Sequence, residues 1–318
     1  MLENMDFFST KKPISNGFIV EDNMICSETT EGSEDKFFIE VNNEKYLVKD
    51  SSYNKRRKQK SLAPYCEYTG SHFINLCGVD CQETYLGVYY DRPVVICKDL
   101  FKDVCFKPFR DIHQSSVDSL LANKEYTYDD VLYVMSKMIR LQDNLDDALH
   151  KFWEMFVMDA ILGNRDRHEG NWGFIKIDDT YKFSPIFDNG SSLFPDVDLS
   201  NWMNEEFISR RTFYIPGSQF KMWKDGIDDR PMRTNYFEVF QDAISNELFC
   251  NALEKFSKID IIDIIKRSII DVPTDYARWF SSIIYSRFNC LVLGRDFSVI
   301  YNEIVESNFG LEWSDEVD

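Results

Sequence analysis

The chain of 318 residues has few histidines, an excess of negative over positive charge, and no long apolar run. The four His, at 72, 113, 150 and 168, are spaced too widely to read as a zinc site. Lys and Arg total 36 against 54 Asp and Glu, a formal net charge of −18. So acidic a surface repels nucleic-acid phosphates and anionic lipid headgroups, so neither a nucleic acid nor a membrane is expected as partner. The charge serves solubility, and it would also attract a basic substrate segment. The apolar stretch from Ile259 to Ile270 is interrupted by Asp260, Asp263, Lys266 and Arg267, too polar to cross a bilayer. No pair of the eight Cys has C-x-x-C spacing, which argues against a zinc ribbon or a thioredoxin-type site. Met1 to Ser15 carries no signal-peptide pattern, and cysteines inside apolar runs, such as Cys97, fit a reducing compartment. A cytoplasmic protein is expected. G-x-S-x-G, H-E-x-x-H and Walker A motifs are also missing, as are internal repeats and low-complexity segments.

Core-forming residues are plentiful. Hydrophobic residues make up 44%, with 26 Phe and 16 Tyr, which argues against disorder. The length suits one bilobal enzyme or two domains. From Phe18 to Leu100 the pattern is mostly strands. Residues 36–41 and 45–49 flank an Asn42-Asn43 hairpin turn, and 83–89 and 93–97 are two further strands. A helix over 62–76 lies between these pairs. Apolar residues at helical spacing predict helices over 128–141 and 148–162. A second hairpin follows over 172–187. Residues 191–234 show no clear period, and helices return over 236–256, 259–270, 274–293 and 296–307. The expectation is an α+β, bilobal, protein-kinase-like fold. Its small β-rich N-lobe covers residues 1–100 and its larger helical C-lobe 101–318, with a hinge near Lys98 to Asp103.

The residues with the most chemistry sit on the loop between helix 148–162 and the second hairpin. Asp166 and Asn171 stand there in D-x-x-x-x-N spacing. Phosphoryl transfer needs a group to accept the proton of an attacking hydroxyl and oxygen ligands for Mg²⁺. Asp166 can be the base and Asn171 a metal ligand. Asp188, returned by the hairpin, is a second metal ligand, and Gly190 gives the backbone freedom to turn after it. Alone the spacing is common, and such a loop can simply be solvated and salt-bridged; the hairpin and the second Asp give it weight. Lys49, at a strand end, can reach the phosphates of ATP, with Glu67 on the following helix as its ion-pair partner; Glu44 and Glu83 compete for that place. Thr29 to Lys36, with one glycine, Gly32, is either a weak phosphate loop or a plain hairpin loop with acidic decoration. His168 either donates to the γ-phosphate or fixes the loop, and Arg165 either meets a phosphate on segment 191–217 or ties the loop down.

Leu162 to Gly173, reading L-G-N-R-D-R-H-E-G-N-W-G, resembles the D-x-H-x-x-N catalytic loop of HipA-like serine/threonine kinases. Pro185 to Leu193 resembles their metal-binding segment, Glu31 to Phe37 their phosphate loop, and Tyr46 to Lys49 their nucleotide lysine. The likeness spans roughly 25–195 and points to the compact, CtkA-like branch. It implies ATP and Mg²⁺ as cofactors and a protein substrate with a Ser or Thr acceptor. It implies Asp166 as catalytic base, Asn171 and Asp188 on the metal, Lys49 on the ATP phosphates, and Gly32 and Ser33 over them. It further implies an adenine hinge from Ile96 through Lys98 to Leu100, and autophosphorylation with Ser33 as a candidate. Relative to ordinary protein kinases, Asn164, His168 and Asn189 stand where His, Lys and Phe are usual. A catalytically silent nucleotide-binding module and a small-molecule kinase are the alternatives.

Overall fold

The computed structural model describes residues 17–26, 36–51, 53–54, 59–116, 127–224 and 227–306. Its N-terminal part holds β1 (Phe18–Ile19), β2 (Lys36–Val41), β3 (Glu44–Asp50), β4 (Tyr53–Asn54), β5 (Gln59–Lys60), α1 (Ala63–Leu76), β6 (Thr84–Tyr89) and β7 (Arg92–Lys98). β8 (Cys105–Pro108), α2 (Phe109–Ser116), α3 (Tyr128–Lys137), α4 (Leu145–Leu162), β9 (Gly173–Ile177) and β10 (Thr180–Phe183) follow. The remainder is α5 (Glu205–Phe213), the hairpin β11 (Gly217–Lys224) and β12 (Ile227–Asn235), then α6 (Tyr236–Ala243), α7 (Glu247–Ser257), α8 (Ile261–Ser268), α9 (Thr274–Arg287) and α10 (Phe297–Glu306).

The N-terminal sheet has the order β1-β6-β7-β3-β2, antiparallel except for β1 against β6. Asn42 and Asn43 both take left-handed φ, as the tight β2–β3 turn requires. Strand periodicity divides the sheet into two faces. Leu47 and Lys49 stand opposite Cys97 and Val95 on the face under α1. Val48 and Ile96 stand opposite each other on the other face, in a separate cluster with Phe18, Val20 and Ile39.

α4 is the axis of the C-terminal part. Phe152, Trp153, Val157, Met158 and Ile161 are all buried, because α3, α7 and α9 surround the helix. It ends at Gly163, whose φ of +64° lets the backbone turn out of the helix. A side chain there would also press on Pro216 and Phe194. The linker strand β8 pairs with β9 of the second hairpin. The segment after β7 therefore runs directly into the β8-β9-β10 sheet.

The structure corrects several expected boundaries. Residues 191–234 contain α5 and a two-stranded hairpin, which no simple period announces. The helix expected over 236–256 is two helices, because Asn246 caps the second by accepting from the Phe249 N–H. The helix expected over 128–141 stops at Lys137 and continues as a tighter turn over Ile139–Asn144.

Candidate active site

Lys49 lies near the end of β3, buried on the α1 face of the sheet. Its Nζ is 2.8 Å from Glu67 Oε2 on α1 and 2.8 Å from Asp188 Oδ1 beyond the second hairpin. Glu67 is thus the partner, not Glu44 or Glu83; both of those are exposed, and Glu83 lies by Lys98 and the Tyr85 hydroxyl. Burial opposes the charge on Lys49, but the two carboxylates outweigh it and raise its pKa well above the usual lysine range. Asp188 is held down to about 2, chiefly by Lys49. The other oxygen of Glu67 accepts from the Asn189 N–H at 2.7 Å. Gly190 serves this contact: a side chain there would come within 3.1 Å of the Glu67 carboxylate. The left-handed turn of the segment falls on Asp188 itself, at φ +59°, and not on Gly190 as the sequence reading has it.

The loop after α4 is built around a buried cation that sequence reasoning missed. Arg167 donates to both oxygens of Asp159, at 2.9 and 3.1 Å, and to Asn189 Oδ1 at 2.7 Å. It also donates to the carbonyls of Asn171, at 2.9 Å, and Phe187. One guanidinium therefore joins α4, the loop and the Asp188 segment. Burial works against its charge, yet Asp159 more than compensates and raises its pKa. Asn164 supports the loop from the other side, donating to Asp159 and accepting from the Asp166 N–H. The signal in the sequence is Asp159, a carboxylate inside the apolar run from Phe156 to Leu162.

Asp166 is exposed. The Asn171 side-chain N–H donates to the Asp166 carbonyl at 3.0 Å, which fixes the amide so that its oxygen is turned away from that bond. The Gly170 N–H donates to His168 Nδ1 at 3.0 Å, so a neutral His168 carries its proton on Nε2. The Nδ1 bond is the loop-fixing contact of the two readings of His168. Arg165 pairs with Asp196 at 2.9 Å and ties the loop to the segment after Asp188.

The three residues named for the hinge differ in where they face and what they bond. Ile96 faces away from Lys49, into the outer cluster, because it is one residue out of phase with Val95 and Cys97. The Lys98 carbonyl accepts from Gln82 at 2.8 Å, its N–H donates to Glu83, and the Asp99 N–H donates to the Lys45 carbonyl. Of the three hinge residues named from the sequence, Leu100 is the one these bonds leave out. Phe101 and Phe106 stack at 4.3 Å beyond it, and Phe187, next to Asp188, meets both edge-on. Gly32 and Ser33 lie outside the described residues.

Asn171 and Asp188 offer hard oxygen donors, a carboxamide and an ionised carboxylate that is 39% exposed. Mg²⁺ is commonly bound through one or two carboxylates plus substrate phosphates, so this set fits it. Among the described residues, no group of three or more His, Cys, Asp or Glu could hold a metal without such help.

A buried Lys–Glu pair between sheet and helix, an Asp and Asn on the loop that ends a core helix, and a second Asp returned by a hairpin define the protein-kinase-like class. The chain belongs to the HipA-like family: the family model described as the HipA-like C-terminal domain matches residues 29–253. It is 31% identical over 245 residues to the serine/threonine-protein kinase CtkA of Helicobacter pylori (strain J99 / ATCC 700824), covering 74% of this chain and 72% of that protein. The crystal structure of a Helicobacter pylori proinflammatory kinase CtkA superposes with a TM-score of 0.75 at 26% identity, covering 91% of this chain and 99% of that one. HipA of Shewanella oneidensis MR-1, in a complex with HipB and operator DNA, shares the fold at a TM-score of 0.50 and 12% identity, covering 83% of this chain and 61% of that one. These likenesses support a kinase-like function.

Proposed function

We propose that the chain is an ATP- and Mg²⁺-dependent serine/threonine protein kinase acting on a protein that carries the acceptor hydroxyl. The observation that carries this reading is the junction at Asp188. Lys49 holds its carboxylate against Glu67, and Arg167 ties the same segment to the loop of Asp166 and Asn171. Asp166 orients the acceptor hydroxyl and takes its proton as the oxygen attacks. Lys49 shifts from Asp188 toward the ATP phosphates, with Glu67 keeping it in place. Asn171 and Asp188 would hold Mg²⁺, and the bound ion would supply positive charge against the phosphoryl oxygens. Leu47, Cys97 and Leu100 would line the side of the sheet that receives the adenine.

The test is phosphate transfer from γ-labelled ATP with Mg²⁺, to the chain itself and to a basic protein. Wild type is expected to label one or both. Asp166→Asn is expected to lose about 10³-fold, with its unfolding midpoint unchanged because the side chain is exposed. Mapping the labelled peptide tests serine autophosphorylation and Ser33 as its site. Wild type that binds ATP yet labels nothing would instead favour a silent nucleotide-binding module.

A further inference from the structure

Arg167 holds the Asp166 loop on one side, and α2 meets it on another. The chain passes from β8 straight into α2, and the start of that helix lies against the loop. The Phe109 N–H donates to the Trp172 carbonyl at 3.0 Å, and the Arg110 N–H to the Glu169 carbonyl at 2.9 Å. Both belong to the first turn, whose N–H groups have no acceptor inside their own helix. The approach is close: a side chain on Gly173 would come within 2.2 Å of the Lys107 carbonyl. The Phe109 ring stacks on Trp172 at 4.3 Å, and His113, one turn further along α2, stacks on Phe109 at 5.8 Å. His113 is buried, and its Nδ1 lies 3.2 Å from Glu169 Oε2. That oxygen is buried too, and among the described residues no other donor reaches it. A buried carboxylate oxygen is costly to leave unmatched, so this neighbour bears on where Glu169 sits.

We infer that His113 is a positioning residue for phosphate transfer, acting through Glu169 to set where Asn171 and Asp166 stand. Glu169 lies in the chain between these two residues. On either side of it, the Gly170 N–H donates to His168 Nδ1 and the Asn171 N–H to the His168 carbonyl at 2.8 Å. A shift of Glu169 therefore reaches Asn171, and the Asn171 side chain passes it to the Asp166 carbonyl. His113 touches neither substrate nor metal in this scheme. The positioning role rests on the proposed kinase function, whereas the anchoring of the loop by α2 stands apart from it.

The test compares two variants of the full chain. His113→Leu keeps an apolar side chain against Phe109 and removes the donor; His113→Gln restores an N–H that can meet Glu169. The amide signals of Gly170 and Asn171 are read first by NMR, without nucleotide. In His113→Leu both are expected to shift and to exchange with solvent about tenfold faster or more, and in His113→Gln to stay near wild type. In transfer from γ-labelled ATP, kcat is expected to fall by about ten- to a hundredfold in His113→Leu, as when a catalytic group is displaced by a fraction of an ångström to an ångström. The Kd for ATP measured without Mg²⁺ should be unchanged, since Lys49 and Glu67 are untouched. His113→Gln should recover most of the lost kcat. Glu169→Ala should cost as much as His113→Leu, and the double variant no more than either alone. Wild-type loop signals in His113→Leu would overturn the anchor. A wild-type kcat in that variant, a His113→Gln as impaired as His113→Leu, or additive losses in the double variant would overturn the positioning role. Wild type that transfers no phosphate would sink the kinase reading instead, and the two amide signals would still decide whether His113 holds the loop.

Discussion

Two regions on either side of the Asp166 loop bury large cations, and they do so by opposite means. At the cleft, Lys49 and Arg167 are matched with carboxylates, Glu67, Asp188 and Asp159. Beneath the loop, Arg287 of α9 is buried and donates to main-chain carbonyls instead: Ala160 at 2.5 Å, Thr212 at 3.1 Å, Ile215 at 3.2 Å, and Arg211. The pKa directions follow. Carboxylates raise that of Arg167, whereas burial lowers that of Arg287 to about 10. Ala160 closes α4, while Arg211 and Thr212 close α5, so Arg287 sits where two helix dipoles point their negative ends. A carboxylate partner can be exchanged for a metal or a phosphate when substrate arrives. A bracket of carbonyls has nothing to exchange. Under the proposed function the Lys49 pair, with its partly exposed Asp188 partner, is thus arranged for chemistry, and the carbonyl bracket of Arg287 for shape.

The largest expected effect breaks the first arrangement. Lys49→Met should lower phosphate transfer by about 10³-fold or more relative to wild type. It should also destabilise the fold by about 3–5 kcal/mol, because Glu67 is left buried and unpaired. The double variant Lys49→Met/Glu67→Gln separates the two losses: stability should return in large part, measured by urea unfolding, while activity stays absent. Recovery of neither would mean that the pair is structural and that the contrast between the two regions is false.

Arg287→Met sharpens the contrast from the other side. Four carbonyls lose their donor, and a loss of about 2–4 kcal/mol is expected. At a temperature where the variant is still folded, its KM for ATP should be that of wild type, since Arg287 bonds neither Lys49 nor Asp188. Arg287→Lys keeps the charge but not the planar fork, and should recover only part of the stability. A raised KM with unaltered unfolding would place Arg287 with the functional cations.

These regions also differ in how far they could be read from the sequence. Lys49, Glu67, Asp166, Asn171 and Asp188 were legible because each is set by strand end, helix position or loop spacing, which are local. The two lobes were legible because period-two and helical patterns separate near Phe101. Arg167 looked like one more charge in a solvated loop, since only the fold shows Asp159, Asn189 and the Phe187 carbonyl converging on it. Arg287 reads as the polar end of an amphipathic helix, though α4, α5 and the turn at Ile215 enclose it. The face that Ile96 takes was not legible for a smaller reason: a one-residue change of phase moves a side chain to the other face of a sheet.

The smallest expected effect tests a third kind of buried group, one kept neutral. His72 packs against the Tyr68 ring at 4.0 Å and bonds the Thr84 carbonyl, in a cleft behind α1 that Glu83 and Arg267 also line. Burial lowers its pKa in the folded chain, against the weaker opposing pull of the Thr84 bond. In the unfolded chain it titrates near ~6.5. As pH falls below that value the unfolded state takes up a proton that the folded state refuses, so His72 makes stability fall with pH until its folded pKa is reached. One proton bounds the slope at about 1.4 kcal/mol per pH unit. His72→Gln keeps a donor for the Thr84 carbonyl and cannot titrate. Urea midpoints at pH 7.5 and 5.5 should therefore fall further apart for wild type than for the variant, the other titrating groups being common to both. Equal separations would mean that His72 is as easily protonated in the fold as outside it, and that the cleft behind α1 is no apolar environment.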